Sequence, residues 1–297
     1  MTAIANLANM LSIHYGVDFV TNPSSSYNSL LQRSICMVDR LATDAPVMVC
    51  DVACDKDTIR SATMGKQTVI VTCHALADAL HGFTPEYVRE ALLSADLVHF
   101  VSPAQQDSFG LPDGKFRIIP NFTRPIRKTT ITNSVGVVGN LKAARKNISE
   151  AIDIALESQA DCIHLWGDAE YSRAHHHRIK VHRWTSNKRV IYDTFDVLVN
   201  LSKQETFGMV VIEAMSAGLP CQLSSIPAFE QFRGCPGVRF IDEANREQAP
   251  QIVNELLQVK AVLKADIIAF WNSNFSEAAV ADEWRMLIDE ICDGYGG

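Results

Sequence analysis

The chain has 297 residues, 47% of them apolar and 21% charged, with a formal net charge of -7. These values describe a soluble globular protein long enough for two domains of ordinary size, and the negative balance argues against a general nucleic-acid-binding surface. No apolar run approaches the roughly eighteen residues of a membrane span, so no transmembrane segment is expected.

In chain order, short β-rich runs alternate with helical patterns. A helix is predicted over 2–14, then a strand at 17–21. Further strands are predicted at 46–52, 68–74, 96–102 and 116–120, with a helix over 84–94 in which Thr84-Pro85-Glu86 supplies N-cap, first position and first-turn acid. The polar stretch RPIRKTTITNS (124–134) has no periodicity and reads as a linker. A second series of strands follows at 135–140, 162–167, 179–184, 197–202, 220–224 and 238–242, with helices over 145–158, 187–194, 207–217, 245–263 and 276–292. Strands alternating with helices predict parallel sheets, hence two doubly wound α/β domains. Their predicted extents are 1–128 and 129–275, with 276–297 a last helix packing back on the first. The N-terminus MTAIANLANMLSIHYG has no basic leader before an apolar core, which argues against a secretory signal. The eight cysteines lie without CxxC spacing, several inside apolar runs, and read as reduced and structural in a cytoplasmic protein.

The stretch SKQETFGMVVIEAMSAGLP (202–220) carries the chemistry. Glu205 and Thr206 follow the predicted strand, and carboxyl ends of strands in open α/β sheets are where ligands bind. The N–H groups and positive dipole end of a helix start suit a phosphate or diphosphate, and Gly208 there lets a ligand come close to the backbone. With a helix starting at 207, eight residues at about 100° each return Glu213 nearly to the azimuth of Glu205, some two turns deeper. Such a pair addresses two parts of one long ligand. A sugar nucleotide fits, with sugar at one carboxylate, diphosphate at the helix start and ribose hydroxyls at the other.

Glu-x7-Glu within ETFGMVVIEAMSAGLP resembles the signature of the retaining, nucleotide-sugar-dependent glycosyltransferases of family 4 (glycosyl transferases group 1), which have the GT-B fold. TVIVTCHAL (68–76), ADLVHFVSPAQQDSFGLPDGKFRIIPN (95–121) and VGVVGNLKAARKNISEAI (135–152) are similar to other family stretches in the expected order. The resemblance implies two Rossmann-like domains facing a cleft. It implies transfer of a hexosyl or pentosyl group, with retention, from a UDP- or GDP-linked sugar without a metal or other cofactor. The acceptor is left open among saccharide, lipid-linked glycan, metabolite, protein and modified nucleic acid. Position by position, Glu213 would bind the ribose hydroxyls and Glu205 would sit by the donor sugar. The N–H groups of Phe207 and Gly208, with Thr206 and Met209 beside them, would hold the phosphates. Lys146, with Arg145 a close alternative, would face the diphosphate, and His74 would contact the transferring sugar.

Two departures stand out. Where the family has Gly-Arg-Leu, this sequence has Gly139-Asn140-Leu141, so Asn140 offers no guanidinium fork and Arg145, Lys142 or Lys146 is expected to substitute. The sequence also opens inside what resembles the family's first helix, without the usual first strand and glycine-rich loop, which is consistent with a shortened first domain, a substitute strand from elsewhere or a sequence cut from a longer one. These departures keep a catalytically weakened sugar-nucleotide or partner-binding protein in view, and a sugar-nucleotide epimerase of related fold is a further alternative. His175-His176-His177, with His164 and His182, reads as a polar loop rather than a metal site, because adjacent histidines diverge and no Cys or carboxylate lies at ligand spacing.

Overall fold

A computed structural model describes residues 2–16, 18–20, 36–38, 47–51, 67–73, 85–112, 114–167 and 176–294. The chain divides into two compact units, Met1–Asn121 with Glu277–Gly297, and Phe122–Ser276. Among the described residues, no helix is long and apolar enough to cross a membrane.

In the first unit, β3 (Val47–Asp51), β4 (Thr68–Thr72), β5 (Leu97–Phe100) and β6 (Phe116–Ile118) form a four-stranded parallel sheet in that order. A separate parallel pair joins β1 (Asp18–Val20) to β2 (Cys36–Val38), the latter a strand the sequence reading did not anticipate. Among the described residues this unit also has helices α1 (Thr2–Leu11), α2 (Pro85–Ser94), α3 (Pro103–Phe109) and α8 (Glu277–Gly294). Val69, Val71, Ala91, Leu92, Val98 and Phe100 are buried together, as expected where α2 covers a parallel sheet. Helix α3 was not predicted, yet its start is encoded locally. Ser102 accepts a hydrogen bond from the Gln105 N–H at 3.2 Å, and Pro103 occupies the first helical position. His99 spans Thr72 Oγ1 and the Ile119 carbonyl, both at 2.8 Å, and meets the Trp284 ring of α8 edge-on.

The second unit has a six-stranded, wholly parallel sheet in the order β12-β11-β10-β7-β8-β9. These strands are β7 (Ser134–Val138), β8 (Cys162–Gly167), β9 (Ile179–Arg183), β10 (Val197–Asn200), β11 (Cys221–Ser224) and β12 (Val238–Ile241). The chain runs outward from β7 through β8 to β9, then returns to pair β10 with the other side of β7. That reversal makes the β7–β10 junction the topological switch point of a doubly wound sheet. Helices α4 (Ile148–Glu157) and α7 (Ala249–Asn274) share one core with the sheet, through Ile148, Ile152, Val253 and Leu256 against Val135, Ile163, Val197 and Val199. Burial of each such side chain contributes about 1.5–3 kcal/mol. Helices α5 (Lys188–Tyr192) and α6 (Met209–Ser216) complete the helix set, and a 3-10 segment, Pro227–Phe232, was not anticipated.

Several boundaries differ from expectation for local reasons. The predicted helix over 145–158 is split. Ala144–Lys146 form a 3-10 turn, and α4 starts only after Asn147, whose φ of 52° is left-handed. Asparagine tolerates that conformation, and it breaks the helix. Helix α7 runs well past the predicted end at 263, because Ile267 and Trp271 continue its buried face beyond a charged surface segment.

Two polar clusters are packed within this unit. Asp196, just before β10, pairs with Lys128 at 3.2 Å and Lys260 at 2.7 Å. Burial lowers the Lys128 pKa, and Asp196 only partly offsets this. On β8 and β9, His164 Nδ1 lies 2.9 Å from His182 Nε2, and the His182 ring stacks on Trp166 at 4.2 Å. A single proton joins the two rings, so one must stay a neutral acceptor. Of the other histidines in that group, His175 lies outside the described residues, and the His176 and His177 rings stack on each other at 4.6 Å.

Burial, then His182, brings the His164 pKa down to about 4. An unfolded histidine titrates near ~6.5, so between these values the unfolded chain takes a proton that the folded chain refuses. Stability is therefore full above pH ~6.5 and falls as pH drops toward ~4, by about 2–3 kcal/mol for this group once solvent screening is allowed for. Urea unfolding of His164→Gln should show a smaller loss between those pH values than the parent. An identical loss in both would show that His164 does not carry the effect.

Candidate active site

The site is built by two loops at the carboxyl ends of β7 and β10, the neighbouring strands of the switch point. Each loop opens with a backbone constraint. Gly139, immediately after β7, has φ 148°, and its N–H donates to the Trp166 carbonyl at 2.9 Å. Gly208, the N-cap of α6, has φ 110°, and a Cβ there would lie 2.9 Å from the Phe229 ring. Both positions therefore require glycine. The loops are latched to each other, the Lys203 N–H donating to the Arg145 carbonyl at 2.7 Å and the Arg145 guanidinium to the Gln204 carbonyl at 3.3 Å.

Across this latch the structure brings Lys146 and Glu205 together. The Lys146 ammonium donates to Glu205 Oε1, and Arg145 Nη1 lies 3.3 Å from Oε2. Lys146 is the inner cation, its side chain 13% exposed, and Arg145 the outer, at 52%. Ser202 adds a third contact, its hydroxyl donating to Glu205 Oε1 at 2.9 Å with the Asn200 side-chain oxygen Oδ1 as alternative acceptor at 2.7 Å. Asn200 Nδ2 beside it is buried without a hydrogen-bond partner. The sequence reading named neither Ser202 nor Asn200, although both lie within the expected strand end.

The helical account of the glutamate pair needs correction. Helix α6 begins at Met209, not Phe207, so Glu205 sits in the preceding loop and shares no helical azimuth with Glu213. Phe207 is buried outside the helix, edge-on to Phe232 and Phe275, and anchors the turn. Thr206 and Met209, half-buried, flank that turn, where the first N–H groups of a helix lack intrahelical partners. The arrangement still presents a helix start between the two carboxylates in sequence, with the spacing supplied by a loop.

Glu213 lies on α6, its side chain only 6% exposed. Two residues of α5, four apart and therefore on one face, hold it. The Tyr192 hydroxyl donates to Oε2 at 2.6 Å, and the Lys188 ammonium lies 3.0 Å from Oε1. Burial, then the Glu213 carboxylate, raises the Tyr192 pKa well above its usual range, so the phenol is a fixed donor. The Lys188 ammonium also sits 4.4 Å over the ring of Trp184, which is exposed. Tyr192, Lys188 and Trp184 were missed in the sequence reading. The four-residue spacing within a predicted helix was their signal, but the tyrosine there reads equally well as core.

Asn140 is exposed, and its side-chain oxygen accepts the Lys142 N–H at 3.0 Å, so it shapes the turn after β7. His74 lies outside the described residues. Among the described residues, no three His, Cys, Asp or Glu side chains cluster in a way that would hold a metal ion.

Residues 132–258 match the family model described as Glycosyl transferases group 1. Among curated protein sequences, none matches the chain. Solved structures match nearly its whole length. HepE of Anabaena, in complex with UDP and glucose, superposes with a TM-score of 0.75 at 15% identity, covering 97% of this chain and 95% of HepE. Sucrose-phosphate synthase from Thermosynechococcus elongatus gives 0.76 at 14% identity, with 98% and 93% covered. The lipopolysaccharide outer core galactosyltransferase WaaB gives 0.70 at 14%, with 97% and 95% covered. Residues 132–258 thus resemble the glycosyl transferases group 1 family, in a chain whose fold is that of the GT-B glycosyltransferases.

Proposed function

We propose that the chain is a retaining glycosyltransferase that moves a sugar from a UDP- or GDP-linked donor to an acceptor. The observation that carries this reading is the pairing of Lys146 with Glu205, next to the start of α6 and at the switch point, with a second buried carboxylate, Glu213, on the same helix. Glu213 suits the ribose hydroxyls, because a carboxylate accepts from two donors at once. The N–H groups around Phe207 and Gly208 suit the diphosphate. The exposed face of Trp184, beside Lys188, offers a flat apolar surface for the base. Glu205, with Lys146, would then face the sugar and the departing phosphate.

Support comes from HepE structures in complex with UDP and with UDP-glucose. Donor binding is tested by a thermal-shift screen of nucleoside diphosphates and nucleotide sugars, in which at least one should raise the melting temperature. No shift with any of them would remove the reading. Stereochemistry is a separate expectation. NMR of the product from an α-linked donor should show an α-linkage, and a β-linked product would exclude retention.

A further inference from the structure

We propose that Lys188 is a specificity-determining residue of the nucleotide subsite, acting with Glu213 to recognise both the hydrogens and the oxygens of a vicinal diol. The proposal rests on the nucleotide reading above. Tyr192 uses one lone pair of Glu213 Oε2, and the less encumbered side of the carboxylate for a ligand hydroxyl includes Oε1, which lies 3.0 Å from the Lys188 ammonium. The exposures point the same way. The Glu213 side chain is 6% exposed and that of Lys188 29%, so the lysine is the more accessible member of the pair.

An ammonium has three N–H donors and no acceptor, whereas a hydroxyl both donates and accepts. One N–H on Glu213 leaves the others for ligand oxygens, and the Trp184 ring 4.4 Å away restrains the ammonium in place. A hydroxyl that donates to Oε1 can therefore accept from Nζ in the same position. The carboxylate and ammonium together match the donor and acceptor faces of a cis-diol, which neither matches alone. Lys188 also neutralises a buried carboxylate before any ligand arrives.

Calorimetric titration of the full chain with UDP and with 2′,3′-dideoxy-UDP tests this. Wild type should prefer UDP, and Lys188→Met should narrow that preference by about tenfold while holding dideoxy-UDP affinity within about twofold. Lys188→Gln keeps Glu213 hydrogen-bonded should the Met variant not fold, and it should narrow the preference at least threefold. Equal loss of both ligands would assign Lys188 a purely structural role and overturn the proposal, as would an unchanged preference. Wild-type binding of both ligands with equal affinity overturns it while leaving nucleotide binding intact. Wild type binding neither UDP nor GDP overturns the nucleotide reading itself.

Discussion

Glu213→Ala should weaken nucleoside diphosphate binding by roughly 1.5–3 kcal/mol, about 10- to 150-fold, the scale of lost hydrogen bonds to a charged group. Truncation does more than remove two acceptor oxygens. It leaves the buried Tyr192 hydroxyl without Glu213 and Lys188 without its counter-charge. The variant should therefore also unfold at lower denaturant, by about 1–3 kcal/mol. Glu213→Gln separates the two effects. Its amide oxygen still accepts from Tyr192, so most of the stability should return, while an uncharged group beside Lys188 should not restore full affinity. Calorimetry with UDP and GDP gives the binding term and urea unfolding the other. Unchanged nucleotide affinity in folded Glu213→Ala would sink the assignment of this carboxylate to the ribose.

What the sequence made legible follows from how local each signal is. Strands such as CIHLWG (162–167) are apolar apart from His164 because parallel strands are covered on both faces, so β8 was read with its observed bounds. The glutamate pair was legible because both members lie in one short segment with a glycine and an apolar helix between them. Its geometry was not, because a positive φ at Gly208 delays the helix and no residue pattern distinguishes that from a helix starting at Phe207. The partners of the pair are set by topology. Lys146 reaches Glu205 across 59 residues, through the pairing of β7 with β10, and Tyr192 reaches Glu213 across 21, through the packing of the two helices that flank β10 in sequence. Family resemblance proposed Lys146, since a motif carries tertiary information that spacing lacks. It could not propose Lys188, which the motif does not contain.

The second large effect is expected at Lys146. In the proposed reaction, negative charge grows on the departing diphosphate as the bond to the donor sugar breaks. A fixed cation beside it stabilises that charge more than the ground state, and losing such a group costs on the order of 100- to 1000-fold in turnover. Lys146 is placed for this at the switch point, its ammonium already oriented by Glu205. Lys146→Met should thus lower kcat by about 100-fold or more, with a smaller change in nucleotide affinity, because the interaction is strongest where charge develops. Arg145, 3.3 Å from the other Glu205 oxygen but far more exposed, should substitute only in part. If lysine and glutamate work as one unit, Glu205→Gln and Lys146→Met should not add. The double variant should be about as slow as the slower single one, because each removes the partner that orients the other. Turnover of a nucleotide sugar by wild type and the three variants measures this cycle. Strictly additive losses would show that Lys146 and Glu205 act separately, and normal turnover in Lys146→Met would move the phosphate contact to another cation.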